Sequence, residues 1–129
     1  MSTIEVAKKL VSLCREGKND EAISTLYADD VVSIEAAPGT AQMPREMNGI
    51  EALRAKAKWF FDNHEIHGGE VYGPYPHDNR FIVLFTFDVT PKVGPNAGHR
   101  ITMEEAGLYT VEDDKIVHEE FFYMTGEEC

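Results

Sequence analysis

Between residues 80 and 124 apolar and polar side chains alternate in successive runs, which restricts this half of the chain to a sheet. The richest run is Phe81-Ile82-Val83-Leu84-Phe85-Thr86-Phe87. A second ends in Met103-Glu104-Glu105-Ala106-Gly107-Leu108-Tyr109, and a third spans Lys115 to Met124. Parity puts Phe81, Val83, Phe85, Phe87 and Val89 on one face, as it does Met103, Glu105, Gly107, Tyr109 and Val111. In the last run Val117, Glu119, Phe121 and Tyr123 share a face, and Ile116, His118, Glu120, Phe122 and Met124 take the other. Glu105 and Glu119 thus fall among side chains that otherwise read as core. A carboxylate there is costly unless it is neutral, paired or used, so the sheet is expected to wall a working cavity. Both faces of the last run are partly apolar. One is expected to meet helices, and the other to be covered by a second subunit.

The first half has helical spacing. Ser2 and Glu5 form a capping box, with Ile4, Ala7, Val11 and Cys14 recurring behind it and Gly17 stopping the helix. Asp20 opens a shorter helix with Ala22, Ile23, Leu26 and Tyr27 on one face. Residues 31–35 read as a short strand, and 37–47, with Pro38, Gly39 and Pro44, as a long loop. Asn48 is the expected cap of a third helix, with Ile50, Leu53, Ala57 and Phe60 inward, ended by Gly68-Gly69. Strands are expected at about 69–76, 80–90, 99–112 and 115–124, with 91–98 a connection rich in proline and glycine. Helices before strands, with no dividing linker, predict one α+β domain over 1–129.

Composition narrows function more by exclusion. With 12 basic and 23 acidic residues the net charge is −11, which disfavours phosphate backbones and anionic lipid surfaces. No nucleic-acid or membrane partner is expected. Cys14 and Cys129 form no metal-ligand spacing; Cys14 reads as a packed small hydrophobe and Cys129 as a tail thiol. The N-terminus lacks the pattern of a secretory signal, so a reducing cytoplasm is expected. No dinucleotide fingerprint, Walker loop or nucleophile elbow is present, and no cofactor is expected.

Two segments resemble a known superfamily. They are Gly17 to Glu35, with Leu26-Tyr27-Ala28-Asp29-Asp30-Val31-Val32, and Leu108 to Tyr123, with Tyr109-Thr110-Val111-Glu112-Asp113-Asp114-Lys115-Ile116-Val117. With the order of elements, they make the chain similar to the SnoaL-like and ketosteroid isomerase-like proteins of the nuclear transport factor two superfamily. The resemblance implies a cone-shaped curved sheet packed against three N-terminal helices. It places Glu35 where the isomerases hold their carboxylate base. Their oxyanion tyrosine falls on Leu10, and their protonated aspartate falls near Gly107, with Glu105 one strand repeat earlier. Isomerisation of the familiar steroid kind is therefore not expected.

The candidate catalytic residues are Glu35, Glu105 and Glu119. The expected pocket lining is Tyr27, Trp59, Phe85, Phe87, Met103, Tyr109, Phe121 and Tyr123, around a small apolar molecule bearing a carbonyl or hydroxyl. Each has a plainer reading: Glu35 as a solvated rim carboxylate, Glu105 displaced outward by a bulge that turns Glu104 in, Glu119 paired with Arg100 or Lys115. Trp59, Phe60 and Phe61 read as core or as the pocket mouth. His64 and His67, three apart at the end of the third helix, lack a third ligand and read as helix-end histidines rather than a metal pair. Two readings stay open: a cofactor-independent isomerase or cyclase using cavity carboxylates, or a non-catalytic ligand-binding or protein-interaction module, in either case a homodimer.

Overall fold

A computed structural model describes residues 1–125; Cys129 lies outside them. Helix α1 spans Thr3–Arg15 and α2 Asn19–Leu26, followed by strands β1 (Tyr27–Gly39) and β2 (Pro44–Asn48). Helix α3 (Ile50–Asp62) precedes β3 (His64–His77), β4 (Arg80–Pro91), β5 (Ile101–Glu112) and β6 (Lys115–Phe122). The six strands form one sheet in the order β2-β1-β6-β5-β4-β3. β1 and β6 run parallel and every other pair antiparallel. The expected α+β architecture, three helices against a curved sheet, is the one observed.

The capping box forms: Ser2 Oγ accepts from the Glu5 amide at 3.3 Å, and Glu5 Oε1 accepts from the Ser2 amide at 3.2 Å. Gly17, at φ +73°, closes α1 in the left-handed conformation that costs glycine nothing. The buried stripe of α1 is Val6, Ala7, Leu10 and Val11, with Cys14 packed against the core. Ala7, Val11 and Cys14 lie where expected, whereas Ile4 is exposed and Val6 and Leu10 take the inner side with them. Leu10, where the superfamily's tyrosine would fall, is sealed in the core.

The middle of the chain departs most from expectation. β1 is thirteen residues long and the supposed loop holds β2, an edge strand that tolerates Pro44 because its outer side needs no partner. Asn48 does not cap α3: it pairs with Val32 in the ladder, and Gly49 at φ +93° is the cap residue, its amide donating to Val31 O. α3 ends at Asp62 rather than at Gly68-Gly69. The Lys92 amide donates to Asn63 O and draws the following residues into pairing with β4, from His64 opposite Pro91 onward. His64 and His67 are therefore strand residues. His64 Nδ1 lies 2.8 Å from Phe60 O and His67 Nε2 lies 2.7 Å from Thr90 Oγ1.

β4 keeps its parity: Phe81, Val83, Phe85 and Val89 are buried against the helices. β6 does not. Val111 pairs with Ile116 but Thr110 with His118, so Val117 is an extra residue, a β-bulge. The bulge turns Ile116 inward to full burial and leaves Glu119, Phe121 and Tyr123 on that same face. The core gathers Phe81, Val83, Phe85, Tyr109, Val111 and Ile116 with the α1 stripe, Ile23, Leu26, Val31 and Leu53. On the opposite face Tyr72 pairs with Leu84, Tyr75 with Ile82, Ile82 with Leu108, Leu84 with Ala106 and Ala106 with Phe122. Tyr72, Tyr75, Ile82, Leu84 and Phe122 are all exposed there, so an apolar patch crosses four strands. Among the described residues no helix is long and apolar enough to cross a membrane.

Candidate active site

The three carboxylates converge on the inner face of β1, β5 and β6. Glu119 is 6% exposed. Tyr27 donates to its Oε2 at 2.7 Å and Ser33 to its Oε1 at 2.8 Å. Burial pushes its pKa up, while Tyr27, the charge of Lys56 and Ser33 pull it down and Glu35 adds to the rise. The phenols of Tyr27 and Tyr109 are held well above their ordinary value, first by burial and then by the charge of Glu119.

Neither Lys56 nor Ser33 stood out in the sequence. Lys56 extends inward from α3 and donates to Ser33 Oγ at 2.7 Å and to Glu35 Oε2 at 2.5 Å. Its ammonium also sits 5.2 Å from the centre of the Phe121 ring, a cation–π contact. Tyr123 donates to the other oxygen of Glu35, Oε1, at 2.9 Å, and its phenol is pushed up by burial and by the Glu35 charge. A continuous chain thus runs from Tyr123 through Glu35, Lys56, Ser33 and Glu119 to Tyr27. The helical spacing 53, 56, 57, 60 places Lys56 among inward Leu53, Ala57 and Phe60. The alternation 31, 33, 35 does the same for Ser33.

Glu105 stands apart from this chain. It is half-buried on β5, directly opposite Phe85 on β4, and no hydrogen bond joins its carboxylate to another described residue. Burial pushes its pKa up to about 7, with Glu35 and Glu119 adding to the rise and Lys56 opposing it. No bulge interrupts the β4–β5 register, so Glu105 points inward and Glu104 outward. Gly107, near which the superfamily's protonated aspartate falls, has no room for a side chain. A Cβ there would lie 2.8 Å from Tyr109 Cε2 and 3.0 Å from its hydroxyl, and Tyr109 is stacked on Phe81 with centroids 5.0 Å apart.

The expected lining residues divide. Tyr27 and Tyr109 are buried beneath the carboxylates, while Met103, Phe121 and Tyr123 are half-buried beside them. Phe85 and Phe87 border a groove of about 660 Å³ that opens between the end of α1, Phe61 and β3. Glu35, Glu105 and Glu119 do not line that groove; its nearest approach in the ladder is Phe85, the cross-strand partner of Glu105. Trp59 is 44% exposed, its ring edge toward His64. Cys14 lies at the groove wall, packed against the core, its thiol pushed up to about 12 by burial.

The fold itself is shared with known proteins along nearly the whole chain. A structure from Mesorhizobium loti, provisionally named a SnoaL-like polyketide cyclase with carbohydrate phosphatase in brackets, is 45% identical, with a TM-score of 0.88 over 95% of this chain and 100% of that one. An NTF2-like protein from Burkholderia thailandensis superposes with a TM-score of 0.76 at 13% identity, over 95% of this chain and 90% of that one. A protein of ketosteroid isomerase-like fold from Catenulispora acidiphila, solved in complex with trimethylamine, does so at 0.68 and 18% identity, over 94% and 86%. At such identities the last two speak for the fold alone. No curated protein matches the sequence. The SnoaL-like domain profile matches residues 1–123, nearly the whole chain, and the chain belongs to that family.

Proposed function

We propose that this protein binds a small, largely apolar molecule bearing a carbonyl or hydroxyl and catalyses a cofactor-free proton transfer on it, of the isomerase or cyclase kind. The observation that carries the reading is the contrast among the acids. Glu35 has both oxygens engaged by Tyr123 and Lys56, and Glu119 has both engaged by Tyr27 and Ser33. Glu105 has no such partner and a pKa of about 7, the range in which a carboxyl both takes and returns a proton at neutral pH. Glu105 is therefore the proton carrier. Glu35, the base by family position, acts as an anchor for Lys56, and the groove beside Phe85 and Phe87 admits the apolar part of the ligand.

The test is deuterium exchange at the α-carbon of apolar cyclic ketones in D₂O, followed by NMR. The protein is expected to accelerate exchange on a ketone it binds by at least ~10²-fold, the low end for general acid–base catalysis, and Glu105→Gln to remove that acceleration. Exchange that persists in Glu105→Gln refutes the role of Glu105. Saturable binding with no exchange favours the non-catalytic reading, which the donorless Leu10 and Gly107 support. The apolar patch on the outer sheet face further supports a homodimer formed through that face.

A further inference from the structure

We propose that Lys56 is the oxyanion-binding group of this site, donating to the carbonyl oxygen of the ligand as that oxygen gains negative charge. The inference rests on the proton-transfer reading of Glu105 and supplies what that reading lacks, a place for the charge it creates.

An ammonium has three N–H donors. Two of those on Lys56 go to Glu35 Oε2 and Ser33 Oγ, and the third has no acceptor among the described residues. The side chain is 19% exposed, so it is reachable but largely shielded from water. It is also immobilised: Glu35 is fixed by Tyr123, Ser33 is committed to Glu119, and the Phe121 ring lies beneath the charge. A donor held before the ligand arrives needs little reorganisation as negative charge develops, and in a shielded site it acts far more strongly than in water. The ionisable groups around it are Glu35, Glu105, Glu119 and Tyr123, and the charge of Lys56 is felt at Glu105 and Glu119. Neither Leu10 nor Gly107 carries a polar side chain, whereas Lys56 brings a cationic donor among the three carboxylates.

The step balances without a redox partner. The Glu105 carboxylate takes the α-proton, the C–H electron pair forms the new C=C bond, and the carbonyl π pair moves onto oxygen. The resulting enolate oxygen accepts from Lys56. Glu105, now protonated, returns its proton to the α-carbon, which is the exchange. Where a neighbouring C=C bond makes the enolate a dienolate, the proton goes instead to its γ-carbon as that C=C bond shifts into conjugation. In either case the oxygen gives up its charge as the carbonyl reforms.

The probe is 4-nitrophenol, whose ionised form presents an aryl ring and an anionic oxygen as an enolate does, and whose two forms differ in absorbance. The wild type is expected to bind the ionised form in preference, lowering the apparent pKa of the bound phenol. Lys56→Met is expected to weaken ionised-form binding by about tenfold or more, the scale of a charge-assisted hydrogen bond, and to abolish the shift; Lys56→Arg is expected to retain most of it. Because Lys56→Met strands Glu35, the double variant Glu35→Gln/Lys56→Met is measured alongside, with circular dichroism as the folding check. Equal wild-type affinity for the two forms, or undiminished ionised-form binding by the folded double variant, overturns the proposal. Glu105→Gln removes a neighbouring negative charge and is expected to tighten ionised-form binding while losing exchange. Lys56-dependent phenolate binding in a wild type that exchanges no α-proton would remove the role of Glu105 and leave the oxyanion site standing.

Discussion

Replacing Glu105 by glutamine keeps the shape of the side chain and removes its proton. In the folded chain Glu105 has a pKa of about 7 against an ordinary 4.5, so between those values the folded state holds a proton that the unfolded state releases. The sign follows from linkage: a raised carboxyl contributes stability that is full below pH 4.5 and lost as pH rises through 7. The gap is worth about 3 kcal/mol. Glutamine, neutral throughout, loses nothing over the window. Urea unfolding of both proteins from pH 4.5 to 8 isolates the effect, since the other carboxylates largely cancel in the difference. The variant is expected to gain about 3 kcal/mol on the wild type across that range. Because the sequence pI is about 4.8, the acidic points need dilute protein. A difference that stays flat with pH, or that favours the wild type as pH rises, would show that Glu105 is solvated in the fold and would end its candidacy as proton carrier.

Gly107→Ala forces a Cβ to within 2.8 Å of the Tyr109 ring, which is pinned by Phe81. Destabilisation of about 1–3 kcal/mol is expected, read as a lowered thermal midpoint; an unchanged midpoint would mean that Tyr109 yields freely. Leu84→Glu sets a charge in the middle of the outer apolar patch. By analytical ultracentrifugation the wild type is expected to be a dimer and the variant a monomer, and a monomeric wild type would remove the homodimer.

Much of this was legible in the sequence where periodicity was unbroken. Phe81, Val83, Phe85 and Val89 alternate without interruption and occupy the face that alternation assigns. Glu105 turned inward for the same reason, through an unbroken β4–β5 register. Failures came where one residue broke a period or where a local signal met a tertiary competitor. Parity sets Ile116 on the face opposite Glu119, because nothing in its neighbours announces the bulge at Val117. Asn48 has the chemistry of a helix cap, yet pairing with Val32 claims its backbone. The pairing of His64 with Pro91 cut α3 short six residues before the glycines that seemed to end it. Lys56 escapes the sequence for another reason: a lysine inside an apolar stripe ordinarily points out, and only half-buried Glu35 and buried Ser33 beside it supply partners that let it turn in.

The bulge at Val117 ties three site residues to one another. Glu119, Phe121 and Tyr123 carry the buried acid, the ring under the ammonium and the phenol that fixes Glu35, and all lie downstream of it on the same stretch. Their orientation is a matter of counting. A side chain two positions away keeps its phase, but the number of residues between the closing turn and Glu119 sets the phase for all three together. Half of the site is thus inherited as a block, open to exchange of its members one at a time and closed to any change in length that is odd.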